Sequence, residues 1–108
     1  MNNKQVVTII TQGRAYRSSS FLLKMAENKD KIKRNTSFIT PKKQFKTAVQ
    51  RNKARRVLKA AILKCFEGKK ALNKDFLYVF TLNTHILSLP FTQLVEEFKI
   101  FSAKNDIL

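Results

Sequence analysis

The spacing of hydrophobic and polar residues predicts the elements of this chain, and the clearest is a long helix. Thr47 and Gln50 have the spacing of a capping box, and the helix runs from there to about Phe66, with Gly68 as its terminator. Its apolar residues recur every three or four positions, as in the buried stripe of an amphipathic helix: Ala54, Val57, Leu58, Ala61, Ile62 and Cys65. At about 1.5 Å per residue, a helix of this length measures roughly 28 Å.

Two strands are predicted before this helix. Residues 19–26 and 36–40 are short, apolar segments, and the polar stretch 27–33 separates them. We expect these segments to pair as an antiparallel hairpin. Residues 14–18 alternate only weakly between apolar and polar side chains and suit a further short strand.

The second half of the chain predicts one more strand and one more helix. Residues 76–80 are apolar on both alternating faces, which is typical of a central strand buried on both sides. Residues 90–101 predict a helix that covers one face of the sheet, because Pro90 suits a first turn and a stripe follows it: Phe91, Leu94, Val95, Phe98 and Phe101.

The pattern of residues 2–12 leaves two interpretations open. Val6, Ile9 and Ile10 lie on one face of a short helix that ends at Gly13, but the β-branched run 6–10 suits a strand equally well. We expect residues 1–108 to form a single domain, because a chain of 108 residues with 44% apolar content buries one modest core.

The net charge of the chain restricts the classes of partner that it can bind. Lys and Arg number 22 against 7 Asp and Glu, a formal net charge of +15, and so much positive charge needs a polyanion to offset it. Nucleic acid, an anionic membrane surface and an acidic protein are the candidates. Since no apolar run reaches the roughly 18 to 20 residues that span a bilayer and no secretory signal is present, we expect a cytoplasmic protein without a membrane partner.

Positive charge is concentrated on the long helix and just before it. The stretch between Asp30 and Glu67 has no acidic residue and holds more than half of the 22 basic ones. The polar face of the long helix is predicted to bind the phosphates and base edges of a nucleic acid, with Arg51 and Arg55 outside the apolar stripe; a solvated charged face is the alternative. The candidate residues, which the family resemblance described below assigns to RNA binding, are Arg51, Asn52, Lys53, Arg55, Arg56 and Lys59 on the helix, and Lys42, Lys43 and Lys46 before it.

The sequence offers no catalytic or metal-binding constellation of its own. His85 is the single histidine and Cys65 the single cysteine, and Cys65 falls on an apolar stripe as a small hydrophobe. Glu96 and Glu97 are adjacent on a helix and therefore diverge. We predict neither catalytic residues nor a protein-only metal site.

The chain resembles the protein component of bacterial ribonuclease P. The matching residues extend from Gly13 to the terminal stripe 94–101, and the motifs between them are Pro41-Lys42-Lys43, Ala48-Val49, Arg51-Asn52-Lys53-Ala54-Arg55-Arg56 and Asp75-Phe76-Leu77-Tyr78-Val79. Lys53 stands where the family has arginine, and Arg55 where it has lysine.

The resemblance implies a fold and a function. The implied fold is a two-layer α/β sandwich of the α+β class, in the order α-β-β-β-α-β-α, with a left-handed β-α-β crossover through the basic helix. The implied function is that of an accessory subunit of an endoribonuclease, which binds ribonuclease P RNA and the 5′ leader of precursor tRNA. The RNA subunit would carry out the hydrolysis with Mg²⁺, and no obligate protein partner is predicted.

The resemblance also implies a leader cleft between the first helix and the sheet. Phe21, Ile10 and Val6 are its candidate residues, with Val6 and Ile10 at positions where the family usually has aromatic side chains. Phe38 and Tyr16 are further candidates for stacking on unpaired bases. The alternative functions are a general RNA-binding or ribosome-associated structural protein, and a DNA-binding helix module.

Overall fold

The protein follows the order α-β-β-β-α-β-α that the resemblance implies. A computed structural model describes residues 1–66 and 73–104. The helices are α1 (Asn3–Gln12), α2 (Ala48–Phe66) and α3 (Phe91–Lys104), and the strands are β1 (Arg14–Arg17), β2 (Phe21–Glu27), β3 (Thr36–Ile39) and β4 (Phe76–Leu82). The predicted terminator Gly68 lies outside the described residues. No helix in the described part of the chain is long and apolar enough to cross a membrane.

Strand β4 is the centre of the sheet, as its two-sided apolar pattern predicted. The strand order is β1-β2-β4-β3, in which β4 is antiparallel to β2 and parallel to β3. Tyr78, Val79 and Phe80 are each fully buried. Since β3 and β4 are parallel neighbours, α2 is the crossover between them; its predicted left hand stays an expectation from the resemblance.

The predicted hairpin between β2 and β3 is wrong. The two strands exist, but β4 lies between them and hydrogen-bonds to both. The loop that joins them therefore crosses over the end of β4, a distance of about 10 Å at the usual strand spacing. Their local pattern could not reveal this, because β4 comes from a segment much later in the chain.

Helices cover the two faces of the sheet unequally. Helices α2 and α3 pack against the face that carries Phe21, Leu23 and Met25 of β2, which confirms the α/β sandwich. The predicted stripe of α2 is the contact surface: Ala54, Leu58, Ala61 and Ile62 are buried, and Val57 and Cys65 pack beside them. Helix α1 lies against part of the opposite face.

Residues 3–12 are helical, which settles the ambiguity of the β-branched run. The Asn2 side chain accepts a hydrogen bond from the Gln5 N–H, and the Gln5 side chain accepts one from the Asn2 N–H, both at 2.9 Å. This capping box stabilises the first turn, while Ile9 is buried against the sheet beside Leu77 and Val79. The Asn-x-x-Gln spacing is a helix signal that the sequence analysis overlooked.

We predict that Gly13→Ala destabilises the junction of α1 and the sheet. A Cβ atom on Gly13 would lie 2.5 Å from the Ile9 carbonyl oxygen and 2.8 Å from the Met25 carbonyl oxygen, so two backbone segments must move apart. We expect a loss of about 1–3 kcal/mol in the free energy of unfolding, measured by thermal or urea denaturation. Gln12→Ala, on the exposed neighbour, is the control; equal stability of the two variants would contradict the prediction.

Candidate nucleic-acid interface

The packing of α2 decides which of its side chains are available to a ligand. The buried stripe faces the sheet and α3, so the opposite side of the helix faces solvent. Asn52, Lys53, Arg56 and Lys59 are exposed on that side, together with Val49 and Leu63. The predicted separation of a packing stripe from a polar face is therefore present in the structure.

Arg55 is held in a fixed orientation at the edge of this surface. Its guanidinium donates to the Thr40 hydroxyl at 3.3 Å and to the side-chain oxygen of Asn52 at 2.7 Å. Thr40 follows β3 directly, so this contact ties α2 to the end of the sheet. A guanidinium ordered in this way loses less conformational entropy when it binds a phosphate.

Arg51 is placed differently from the expectation. It precedes Leu58 by seven residues, two helical turns, and therefore lies on the side of α2 that carries the apolar stripe. It is half-buried and donates to the carbonyl oxygen of Phe45 at 2.9 Å. The expectation that Arg51 lies outside the apolar stripe is wrong, because one part of its guanidinium stabilises the turn before α2. Its part in RNA binding stays a prediction.

Lys59 lies beside an aromatic side chain of β3. Its ammonium is 5.4 Å from the centre of the Phe38 ring, within the range of a cation–π interaction. Phe38 is half-buried and stacks on Phe80 with 5.4 Å between the ring centres. Arg55 and Lys59 thus align α2 along the edge strand β3.

The lysines before α2 surround one buried aromatic side chain. The N–H groups of Gln44 and Phe45 donate to the Pro41 carbonyl oxygen at 3.1 and 2.9 Å, and Phe45 is fully buried in the core. Lys42, Lys43 and Lys46 remain exposed around this turn. Phe45 was not among the predicted core residues, although it is the one aromatic side chain in this lysine-rich segment.

The positive charges of this surface have no acidic partner within the described residues. Across residues 1–66 and 73–104 the one ion pair joins Lys99 to Glu96 on α3, at 4.0 Å. Lys53 and Arg56 hydrogen-bond to no residue of the described chain. Two neighbouring surfaces therefore carry uncompensated cations. We call them the basic helix face, which consists of Asn52, Lys53, Arg55, Arg56 and Lys59, and the lysine turn, which consists of Lys42, Lys43 and Lys46.

The predicted leader cleft needs one correction. Phe21 is 2% exposed and makes edge-to-face contacts with Phe80 and Phe101, so it belongs to the core and cannot stack on a nucleotide. The register of β2 points residue 21 toward α2 and α3, away from α1. Val6 is half-buried against Ile9, while Ile10 is 38% exposed.

A different set of residues forms the open part of the sheet beside α1. Strand register places alternate residues of β2, β3 and β4 on this face, where Leu77 and Val79 are buried with Ile9 of α1. Five further residues of this face are half-buried: Leu22, Lys24, Ser37, Ile39 and Thr81. We call this set the open sheet face. The signal for it is the period-two alternation of β2, which the sequence analysis did not apply to residues 22 and 24.

The described residues contain no group of three or more His, Cys, Asp and Glu side chains that could hold a metal ion. Burial raises the pKa of the Cys65 thiol, which favours the protonated thiol over the thiolate. This agrees with the packing role assigned to Cys65. The site thus consists of cations and amides, which are side chains suited to phosphates and base edges.

The fold and the basic helix face define a small α+β protein with a strongly basic crossover helix. The family model for Ribonuclease P matches residues 2–105, nearly the whole chain, so the protein belongs to the ribonuclease P family and has the tRNA-processing, RNA-binding character of that family. Among curated proteins, no sequence matches this chain.

Solved structures show the same fold. The Staphylococcus aureus RNase P protein is 16% identical and superimposes with a TM-score of 0.75, covering 99% of this chain and 94% of its own. The RNase P protein from Thermotoga maritima is 17% identical with a TM-score of 0.66, covering 99% of this chain and 93% of its own. The same Thermotoga maritima protein in complex with 1-(4-fluorophenyl)-2-thiourea gives 17% identity and a TM-score of 0.68, covering 96% and 92%.

We predict that Arg51 and Arg56 differ in their effect on stability. Arg51→Ala leaves the Phe45 carbonyl without its donor and should lower the free energy of unfolding by about 1 kcal/mol. Arg56→Ala removes an exposed cation from a like-charged surface and should leave stability unchanged or slightly higher. Thermal denaturation followed by circular dichroism measures both; equal losses would show that the contact of Arg51 contributes nothing.

Proposed function

We propose that this chain is the protein subunit of ribonuclease P, acting in the cytoplasm in the maturation of tRNA 5′ ends. The observation that carries the proposal is the uncompensated basic helix face on the crossover helix, in a chain whose family match spans residues 2–105. The basic helix face and the lysine turn would bind the catalytic RNA. Each phosphate that they neutralise releases counterions, which makes the affinity fall with salt.

The proposal assigns the 5′ leader of precursor tRNA to the open sheet face beside α1. Lys24 supplies a cation there, and Leu22 and Ile39 supply half-exposed apolar surface for bases or riboses. Ile10, at 38% exposure, can flank this surface from α1, whereas Phe21 cannot reach it. The leader would thus be held by apolar contact and one lysine instead of by aromatic stacking.

The endonucleolytic step is assigned to the RNA subunit. The Mg²⁺ ions would be bound by RNA, where they would supply charge stabilisation for phosphodiester hydrolysis. The protein's contribution would be to lower the repulsion between the RNA and its substrate. That contribution matters most at low Mg²⁺.

We expect the protein to stimulate leader removal by a bacterial ribonuclease P RNA at low Mg²⁺. Lys53→Ala combined with Arg56→Ala should abolish most of this stimulation, because both side chains are exposed and bound to nothing within the described chain. Lys99→Ala combined with Lys104→Ala removes the same amount of charge from α3, and this variant should retain the stimulation. Cleavage of a precursor tRNA, followed on a denaturing gel, is the measurement.

Two outcomes would contradict the proposal. If the folded wild-type protein gave no stimulation of leader removal, the proposed processing role would be contradicted. RNA binding that does not change between substrates with and without a 5′ leader would instead favour a general RNA-binding protein.

A further inference from the structure

A second group of cations lies at the other end of the sheet from the lysine turn. The β2–β3 loop carries Lys29, Lys31 and Lys33, and the turn before β4 carries Lys74; all four are exposed and line one cavity of about 810 Å³. The lysine turn follows the carboxyl end of β3, whereas this cavity lies at the amino ends of β3 and β4. The length of β4 separates the two places by about 20 Å.

The loop that presents these lysines is anchored by a buried side chain. Asn28 is 8% exposed; its side-chain N–H₂ donates to the carbonyl oxygens of Ile32 and Lys74 at 3.0 and 2.9 Å. Its side-chain oxygen accepts from the Ile32 N–H at 2.9 Å, and Ile32 packs against the cluster around Ile9. The loop and the turn before β4 are thus tied together, and their lysines are presented from a fixed backbone.

Lys31 occupies a backbone conformation that does not favour lysine. Its φ is 52°, in the left-handed region, where glycine or asparagine would fit with less strain. A loop shaped only to connect two strands would gain stability from either of those residues. Lysine at this position is explained if its side chain has a function.

The other residues of the cavity indicate the class of ligand. Glu27 and Asp75 contribute carboxylates, and half-buried Phe76 contributes an aromatic surface. Lysines suit phosphates, carboxylates accept from base amino groups and 2′-hydroxyls, and an aromatic ring stacks on an unpaired base. The two carboxylates would repel an acidic peptide, and a free phosphate would make no contact with the aromatic ring of Phe76.

We infer that this cavity is a further RNA-binding site, which takes a single-stranded RNA segment separately from the basic helix face and from the open sheet face proposed for the leader. Its four lysines would contact the backbone while Phe76 and the carboxylates contact bases and riboses. The site needs neither ribonuclease P RNA nor a leader, so it goes beyond the proposed function. Two sites at opposite ends of the sheet allow one protein molecule to hold two separate RNA segments.

The test uses a short, labelled single-stranded RNA of mixed sequence in a background that carries Lys53→Ala, Arg56→Ala and Lys24→Ala, which weakens both the basic helix face and the open sheet face. The loop variant adds Lys31→Asn and Lys33→Ala; asparagine suits the left-handed conformation, so the loop keeps its shape. The control adds Lys99→Ala and Lys104→Ala, with the same change in charge. Affinity is measured at several salt concentrations, and thermal denaturation verifies the fold.

We expect the loop variant to make the fall of log affinity with log salt less steep by about 1.4 in slope. Near 0.1 M salt, its affinity should be roughly 25-fold weaker. The control should change both far less. Lys29→Ala with Lys74→Ala is a second pair that should reproduce the loss without touching the left-handed residue.

Equal losses in the loop variant and the control would overturn the inference. It would also be overturned if polyglutamate displaced the RNA as effectively as unlabelled RNA does, since the cavity would then recognise charge alone. Failure of the protein to stimulate leader removal would count against the proposed function and leave this result unaffected.

Discussion

The packing of α2 on the sheet is the constraint on which the candidate site depends. Ala54, Leu58 and Ala61 are completely buried, and their spacing fixes the rotation of the helix about its axis. A different rotation would bury charged side chains, which costs far more than any contact in the core returns. Because α2 also connects the parallel strands β3 and β4, the same packing places its first turn beside the lysine turn. Core packing therefore determines where the cations lie.

This arrangement leaves the protein with a charge distribution that RNA can neutralise. No acidic side chain within the described chain pairs with the basic helix face, and like charges four residues apart weaken an isolated helix. The buried stripe and the Thr47 hydroxyl, which accepts from the Gln50 N–H at 3.1 Å, stabilise α2 against that repulsion. Contacts from Arg55 to Thr40 and Asn52 order part of the surface before any ligand arrives. Binding of a polyanion would then relieve repulsion at little cost in entropy.

Local periodicity predicted the elements of this fold well, and it failed where distant segments decide the structure. The stripe of α2 and the central position of β4 follow from spacing alone, because each pattern reports burial directly. The order of the strands does not, since β4 enters between β2 and β3 from far along the chain. Phe21 and Arg51 were expected on the wrong faces of their elements for a related reason. Which face of a strand is covered, and which side of a helix's first turn is buried, depends on the segments that pack there. The open sheet face became visible only once the register was known.

The central claim is that the basic helix face is the surface that meets RNA, and footprinting of lysine amines tests it on the unmodified protein. Acetylation with and without ribonuclease P RNA, quantified by mass spectrometry, reports every lysine in one experiment. The account predicts strong protection of Lys53 and Lys59 on α2 and of Lys42 and Lys43 in the lysine turn. Lys99 on α3 should react equally in both samples. Protection spread evenly over all lysines, or confined to α3, would contradict it.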